Sequence, residues 1–152
     1  GEVFIAPYET FGEGTIICPV TIDRFTNKII RDVVLRFKEG RLLLNECSAR
    51  VNGDQMIDSF KRCLEIDRKE KEIRTTNIAE LGIGCNPAID KVIGYILTDE
   101  KISGSVHVAF GSNIGYGGNS KSSMHWDFVT HPSATIKIAD TQELVMKDGK
   151  IQ

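Results

Sequence analysis

Only one stretch of this 152-residue chain repeats its apolar residues at helical spacing, and that limits the fold more than any other feature. From Asp54 to about Lys69, the residues Met56, Ile57, Phe60, Cys63 and Leu64 recur three and four positions apart. This predicts one amphipathic helix, with Asp54 placed to cap its start. The charged run DRKEKE at 67–72 is expected to be the solvated end of the same helix. Elsewhere the apolar residues come in short runs rich in β-branched and aromatic side chains, punctuated by glycine and proline, which predicts strands.

The first strands are expected in EVFIAPYE (2–9) and GTIICPVTI (14–22). RDVVLRF and RLLLNECSA flank KEG, whose glycine can take positive φ, so the pair reads as a β-hairpin. Later strands are expected in TTNIAELGIG, GSVHVAFG, MHWDFVT, ATIKI and ELVMKDGKIQ, the last turning at Asp148-Gly149. The stretch 87–102 is expected to form one or two short helical turns. There is no internal repeat and no alternation of strand with helix. The predicted fold is therefore α+β: a single domain over 1–152 with a mostly antiparallel or mixed β-sheet and one main helix.

A chain that is 41% hydrophobic at this length can bury a real core. Nineteen basic residues against 21 acidic ones leave a net charge of −2, and no basic stripe is available to neutralise phosphates, so nucleic acid is not an expected partner. Cys18, Cys47, Cys63 and Cys85 are widely spaced and form no C-x-x-C pair. Free thiols and a reducing, cytoplasmic setting are the expectation. No apolar run approaches the roughly 18 residues that cross a bilayer, so no membrane association is expected. The chain begins at Gly1, without Met, inside what reads as a strand, which suggests a fragment or a processed product.

The residues that do not suit a buried strand are the informative ones. In SSMHWDFVT (122–130), His125 and Asp127 are two apart and project to one face, while Trp126 and Phe128 project to the other. That is the geometry of two ligands on one metal, although such a pair can equally be solvated. In SVHVAF, Val106, Val108 and Phe110 share a face and leave His107 opposite, as a ligand or as a hydrogen-bonded core histidine. Glu80 interrupts NIAELGIG just before a glycine-rich bend, where a helix cap or surface residue is the plain reading, and Glu2 precedes an apolar run, where a solvated terminus is. As a set, two histidines and three carboxylates are donors suited to Zn, Co, Mn or Fe(II), and a bridging carboxylate lets them hold two ions. Metal charge would remove the cost of burying them unpaired. His131, in THPS at a strand end, reads as a solvated loop residue.

At these residues the chain resembles the thermophilic aminopeptidases, the aminopeptidase T and aminopeptidase S type of metallopeptidase. The matching stretches are GEVFIAP, AELGIGCNP, ILTDEKISGSVHVAFG, GYGGNSKSSMHWDFV and MKDGKI, in the family's order and over nearly the whole chain. The resemblance implies a hydrolase with two cocatalytic divalent ions (Zn, Co, Mn or Mg) held by Glu2, Glu80, His107, His125 and Asp127. It also implies Glu80 as the catalytic carboxylate, Tyr116 as the active-site tyrosine, and a peptide with a free N-terminus as substrate. Family members are longer, with a preceding domain that helps enclose the site. The chain is thus expected to correspond to a C-terminal catalytic domain that binds metal and has little or no aminopeptidase activity by itself.

Asp99, Glu100 and Lys101 are expected either to line the site or to form a charged surface turn. Two other functions stay open. His107, His125 and Asp127 alone make the two-His-one-carboxylate set of non-haem Fe(II) enzymes, and the pyridine-ring-cleaving dioxygenases resemble the aminopeptidases in this region. The presence of Glu2 and Glu80 favours the peptidase. A non-catalytic metal-binding module is the third reading. Oligomeric state is left open, with a homodimer as the candidate assembly.

Overall fold

In the computed structural model, which describes residues 1–152, the helical-period segment forms α1, Gly53–Asp67. Met56, Phe60 and Cys63 turn inward from it. Asn52, in the left-handed region at φ 58°, precedes the helix and gives it no side-chain cap. Asp54 therefore lies inside the first turn, where its charge complements the helix dipole, and is not the cap expected from the sequence. The helix stops at Asp67, so the charged run after it is turn rather than helix. Asp67 itself is buried at that point: it accepts from Thr75 Oγ1 at 2.6 Å, Ser122 Oγ at 2.6 Å and the Ser123 N–H at 2.9 Å.

The strands fall into three antiparallel groups. One sheet is built on β2 (Gly14–Ile22) and β3 (Ile29–Lys38), with the short β4 (Arg41–Leu42) and β5 (Ser48–Val51) both pairing with β3. The hairpin between β3 and β4 turns at Glu39 and Gly40, at φ 51° and 71°, the double positive φ of a tight hairpin turn. A side chain at position 40 would also bring a Cβ within 2.5 Å of the Glu9 carbonyl oxygen. The expected second hairpin arm is broken: a 3₁₀ turn at Leu44–Glu46 separates β4 from β5.

The second sheet has the order β1 (Glu2–Ile5), β6 (Ile78–Gly84), β7 (Val106–Gly111), β8 (His125–Val129). Its first strand ends at Ile5, short of the expected 2–9. Stretch 87–102 contains one helical turn, α2 (Ile96–Asp99). The chain closes with β9 (Ile136–Lys137), β10 (Leu144–Lys147) and β11 (Lys150–Ile151), the last two joined at Asp148-Gly149. All paired strands are antiparallel, the one parallel contact being an isolated bridge between Asn86 and Ile102. An α+β fold with a mostly antiparallel sheet and one main helix results.

The core lies between the two larger sheets and α1. Ile16 and Cys18 from β2 and Ile30, Val33 and Leu35 from β3 meet Val108, Phe110, Trp126 and Phe128 from β7 and β8. Phe60 of α1 stacks on Trp126 at 5.5 Å and on Phe128 at 6.3 Å between ring centroids. Trp126 places its Nε1–H on Thr21 Oγ1 at 3.1 Å, so the buried indole is satisfied. With the apolar residues of β7 and β8 on this face, the pleat sends His107, His125 and Asp127 to the other. All four cysteines are free, and burial pushes the Cys18 thiol up to about 12. No helix is long and apolar enough to cross a membrane.

Candidate metal centre

The second face of the four-stranded sheet gathers the polar residues that the strands carry. Register places Glu80 opposite Ala109 and Ala109 opposite Asp127, Gly82 opposite His107, and Glu2 opposite Gly84. A bulge between Ile78 and Glu80 shifts β6 just where Glu80 is presented, a common device for re-aiming one side chain. Glu80 is neither a helix cap nor a surface residue: it is buried in mid-strand.

Glu80 stands between the two histidines. Its Oε1 lies 3.2 Å from His107 Nε2 and its Oε2 lies 3.3 Å from His125 Nε2. Glu2 Oε2 is 3.7 Å from His107 Nε2, and Asp127 Oδ2 is 3.4 Å from His125 Nε2. The five residues singled out in the sequence thus lie together on this face, with Glu80 between the two histidines. Donor atoms of Glu80, His125 and Asp127 all lie within 4.8 Å of one another. That group has one imidazole and two carboxylates, which differs from the two-His-one-carboxylate set expected for a single iron.

The surroundings hold these donors in place. His125 gives its Nδ1–H to the Ser112 carbonyl at 2.7 Å, which aims Nε2 at the carboxylates. His107 packs against Gly82, where a Cβ would sit 2.0 Å from its Nε2. Lys101 Nζ holds Glu2 Oε1 at 3.1 Å and Glu100 Oε1 at 2.5 Å, leaving Glu2 Oε2 directed at His107. Tyr116, in a 3₁₀ turn at Ile114–Tyr116, has its ring 5.3 Å from that of His125 and 5.3 Å from that of Phe4. Of the charged trio at the end of α2, Glu100 and Lys101 line the centre, while Asp99 instead accepts the Ile93 and Gly94 N–H groups at 3.0 and 2.6 Å. His131 lies in an exposed loop, as expected.

Charge is concentrated here. Burial pushes the Glu80 carboxyl up, but hydrogen bonds from His107 and His125 outweigh it and bring the group down to about 2. Burial disfavours charge on His125, yet acceptance by Asp127 and Glu80 raises it to about 10. The same opposition raises His107, with Glu80 and Asp127 prevailing over burial. Burial, aided by the charges of Asp127 and Glu2, raises Glu100 despite its pairing with Lys101. Burial and the neighbouring carboxylates also raise the Tyr116 hydroxyl.

The donors fit a divalent cation. Buried Glu2 Oε2 and Asp127 Oδ1 have no hydrogen-bond partner, and leaving such an atom unpaired costs about 1–3 kcal/mol or more. A cation held beside Glu2 or beside Asp127 would satisfy that atom. Nitrogen and carboxylate oxygen together suit Zn, Mn, Co or Fe(II) better than Ca. Sequence reading missed Gly82, the Ser112 carbonyl and Phe4. Glycine in a strand signals close approach, which was the one cue available for Gly82.

No family model matches the chain, and no curated protein matches it. Among solved structures, 2,5-dihydroxypyridine dioxygenase from Pseudomonas putida is similar over 98% of this chain, with 18% identity and a TM-score of 0.65. AmpT (aminopeptidase T) from Thermus thermophilus is similar over 99% of it, with 19% identity and a TM-score of 0.63. The chain spans 42% and 39% of the lengths of those two proteins. Likeness at this level of identity shows a shared fold.

Proposed function

We propose that the chain is a metal-dependent hydrolase of the aminopeptidase type, acting on peptides with a free N-terminus. The observation that carries this reading is the division of the Glu80 carboxylate between His107 and His125, flanked by Glu2 on one side and Asp127 on the other. One ion would be held by Glu2, His107 and Glu80, and a second by Glu80, His125 and Asp127. Divalent ions bound in this way lower the pKa of a coordinated water toward neutrality and polarise a carbonyl. The structural likeness to an aminopeptidase agrees with this reading, and so does the resemblance in sequence.

Within it, the side chains have separable tasks. Glu80, ionised down to about 2, suits a shared ligand. The proton-acceptor role expected for Glu80 is also open to Glu100, a carboxylate that lines the centre beside Lys101. Lys101 bridges Glu2 and Glu100 and orients both. Tyr116 and Phe4 form an aromatic wall that limits access of bulk water beside His125.

Two measurements test the proposal: metal content after loading, and turnover of amino-acid amides and anilides by the loaded chain. Two divalent ions per chain are expected, with weak turnover. Glu80→Gln should lose both metal and turnover, while Glu100→Gln should keep metal and lose turnover if Glu100 takes the proton. One iron per chain with no amide hydrolysis would sink the proposal in favour of an oxygenase, and retained metal without any turnover would favour a binding module.

A further inference from the structure

The four-stranded sheet ends on β1, whose outer edge pairs with nothing. The Cys85 N–H donates to the Gly1 carbonyl at 2.8 Å, and Glu2 sits opposite Gly84 and Phe4 opposite Gly82. In an antiparallel pair such bonding alternates, so Val3 and Ile5 direct their backbone groups inward to β6 and those of Glu2 and Phe4 point outward. No proline, lysine or bulge blunts this edge, and Val3 and Ile5 are 63% and 57% exposed. Glu2 and Phe4 also turn their side chains to the face that bears the metal centre: Glu2 reaches His107, and Phe4 meets Tyr116 edge-on. The free edge, the aromatic wall and the candidate ligands are continuous.

We propose that the edge of β1 docks the body of an extended peptide substrate, which adds there as a fifth strand while its first residues cross β1 to the metal centre. This rests on the hydrolytic reading above. Strands lie about 4.8 Å apart, so one added outside β1 runs roughly 12 Å from the seam between β6 and β7, a distance that about three to four extended residues cross. Pairing therefore starts near the fourth residue of the substrate. It is exhausted about three residues later, because β1 offers only the outward groups of Glu2 and Phe4. Main-chain pairing gives affinity without reading side chains, so the edge accepts peptides of many sequences.

The test uses the zinc-loaded chain and peptides whose first peptide bond is reduced to a methyleneamine, so that they bind without being cleaved. Affinity is expected to rise about tenfold from a tripeptide to a heptapeptide, as two or three backbone hydrogen bonds are added. N-methylation of the amides of residues four to six should abolish the gain. Phe4→Pro should abolish it too, since it removes an outward N–H at an edge position that tolerates proline, whereas Phe4→Ala should keep it. Equal affinity for the two lengths, a gain that survives N-methylation, or no binding at all would overturn the proposal. So would protection of the Glu2 and Phe4 amides from hydrogen exchange that appears without peptide and grows with protein concentration, which would assign the edge to a second copy of the chain. Cleavage of unmodified peptides without length dependence would remove the docking site and leave hydrolysis standing; length-dependent binding without cleavage would do the reverse.

Discussion

A methyl group at position 82 would lie 2.0 Å from His107 Nε2 and 2.2 Å from Cε1, so alanine there must displace the imidazole or push apart β6 and β7. Gly82→Ala is expected to weaken metal binding by about 10- to 100-fold, on the scale of lost support for a ligand. Competition with a chromophoric chelator measures this, and unchanged affinity would show that the ring is not held against Gly82. Titration of Glu80 and His125 makes a second residue-scale prediction. Glu80 falls to about 2 from an unfolded value near 4.3, so its contribution to stability is present above about 4.3 and is lost as pH drops toward 2. His125 rises to about 10 from an unfolded value near 6.5, so its contribution is full below about 6.5 and is lost as pH climbs toward 10. The metal-free melting temperature should therefore decline between about pH 6.5 and 10. With metal, the imidazole must be neutral to coordinate, so stabilisation by the ion should grow over the same range. Scans in chelator and in zinc, run as a function of pH, distinguish the two slopes.

At the level of elements, Asp67 joins the end of α1 to the segment that leads into β8. Three donors converge on its carboxylate: Thr75 Oγ1, Ser122 Oγ and the Ser123 N–H. Asp67→Ala would strand them in a part-buried position, and a loss of about 2–3 kcal/mol is expected from urea unfolding. His125 begins β8 two residues after Ser123, so metal affinity should fall with stability; a stable variant with intact metal affinity would show that the junction does not matter. This junction also explains why the helix ended earlier than its charged continuation suggested. The run at 67–72 has the composition of a solvated helix end, but its first residue is drawn inward by partners up to 56 positions away, which local propensity does not register. β8 itself was legible, because its alternation of His125 and Asp127 with Trp126 and Phe128 is a local pattern.

Across the whole molecule, the apolar and ionic faces of one sheet depend on each other. Phe60 anchors the core against Trp126 and Phe128, which lie on β8 back to back with the candidate ligands His125 and Asp127. Phe60→Ala is expected to cost about 3–5 kcal/mol and to lower the midpoint of chemical unfolding. Because metal binds the folded state, saturating zinc should recover part of that loss, by an amount that scales with the logarithm of free zinc. Failure of zinc to shift the midpoint would show that the folded chain does not bind the ion.

The sequence by itself determined which face of each strand each residue occupies, since side-chain alternation is a property of neighbouring positions. That was enough to pick out Glu2, Glu80, His107, His125 and Asp127 as misplaced polar residues and to infer a largely β fold with one helix. Strand order and register were decided only in the tertiary structure, because they arise from pairings between distant segments whose closure no local pattern encodes. They place Lys101 on Glu2, 99 positions away, empty the space over Gly82 for His107, and divide the oxygens of Glu80 between two histidines.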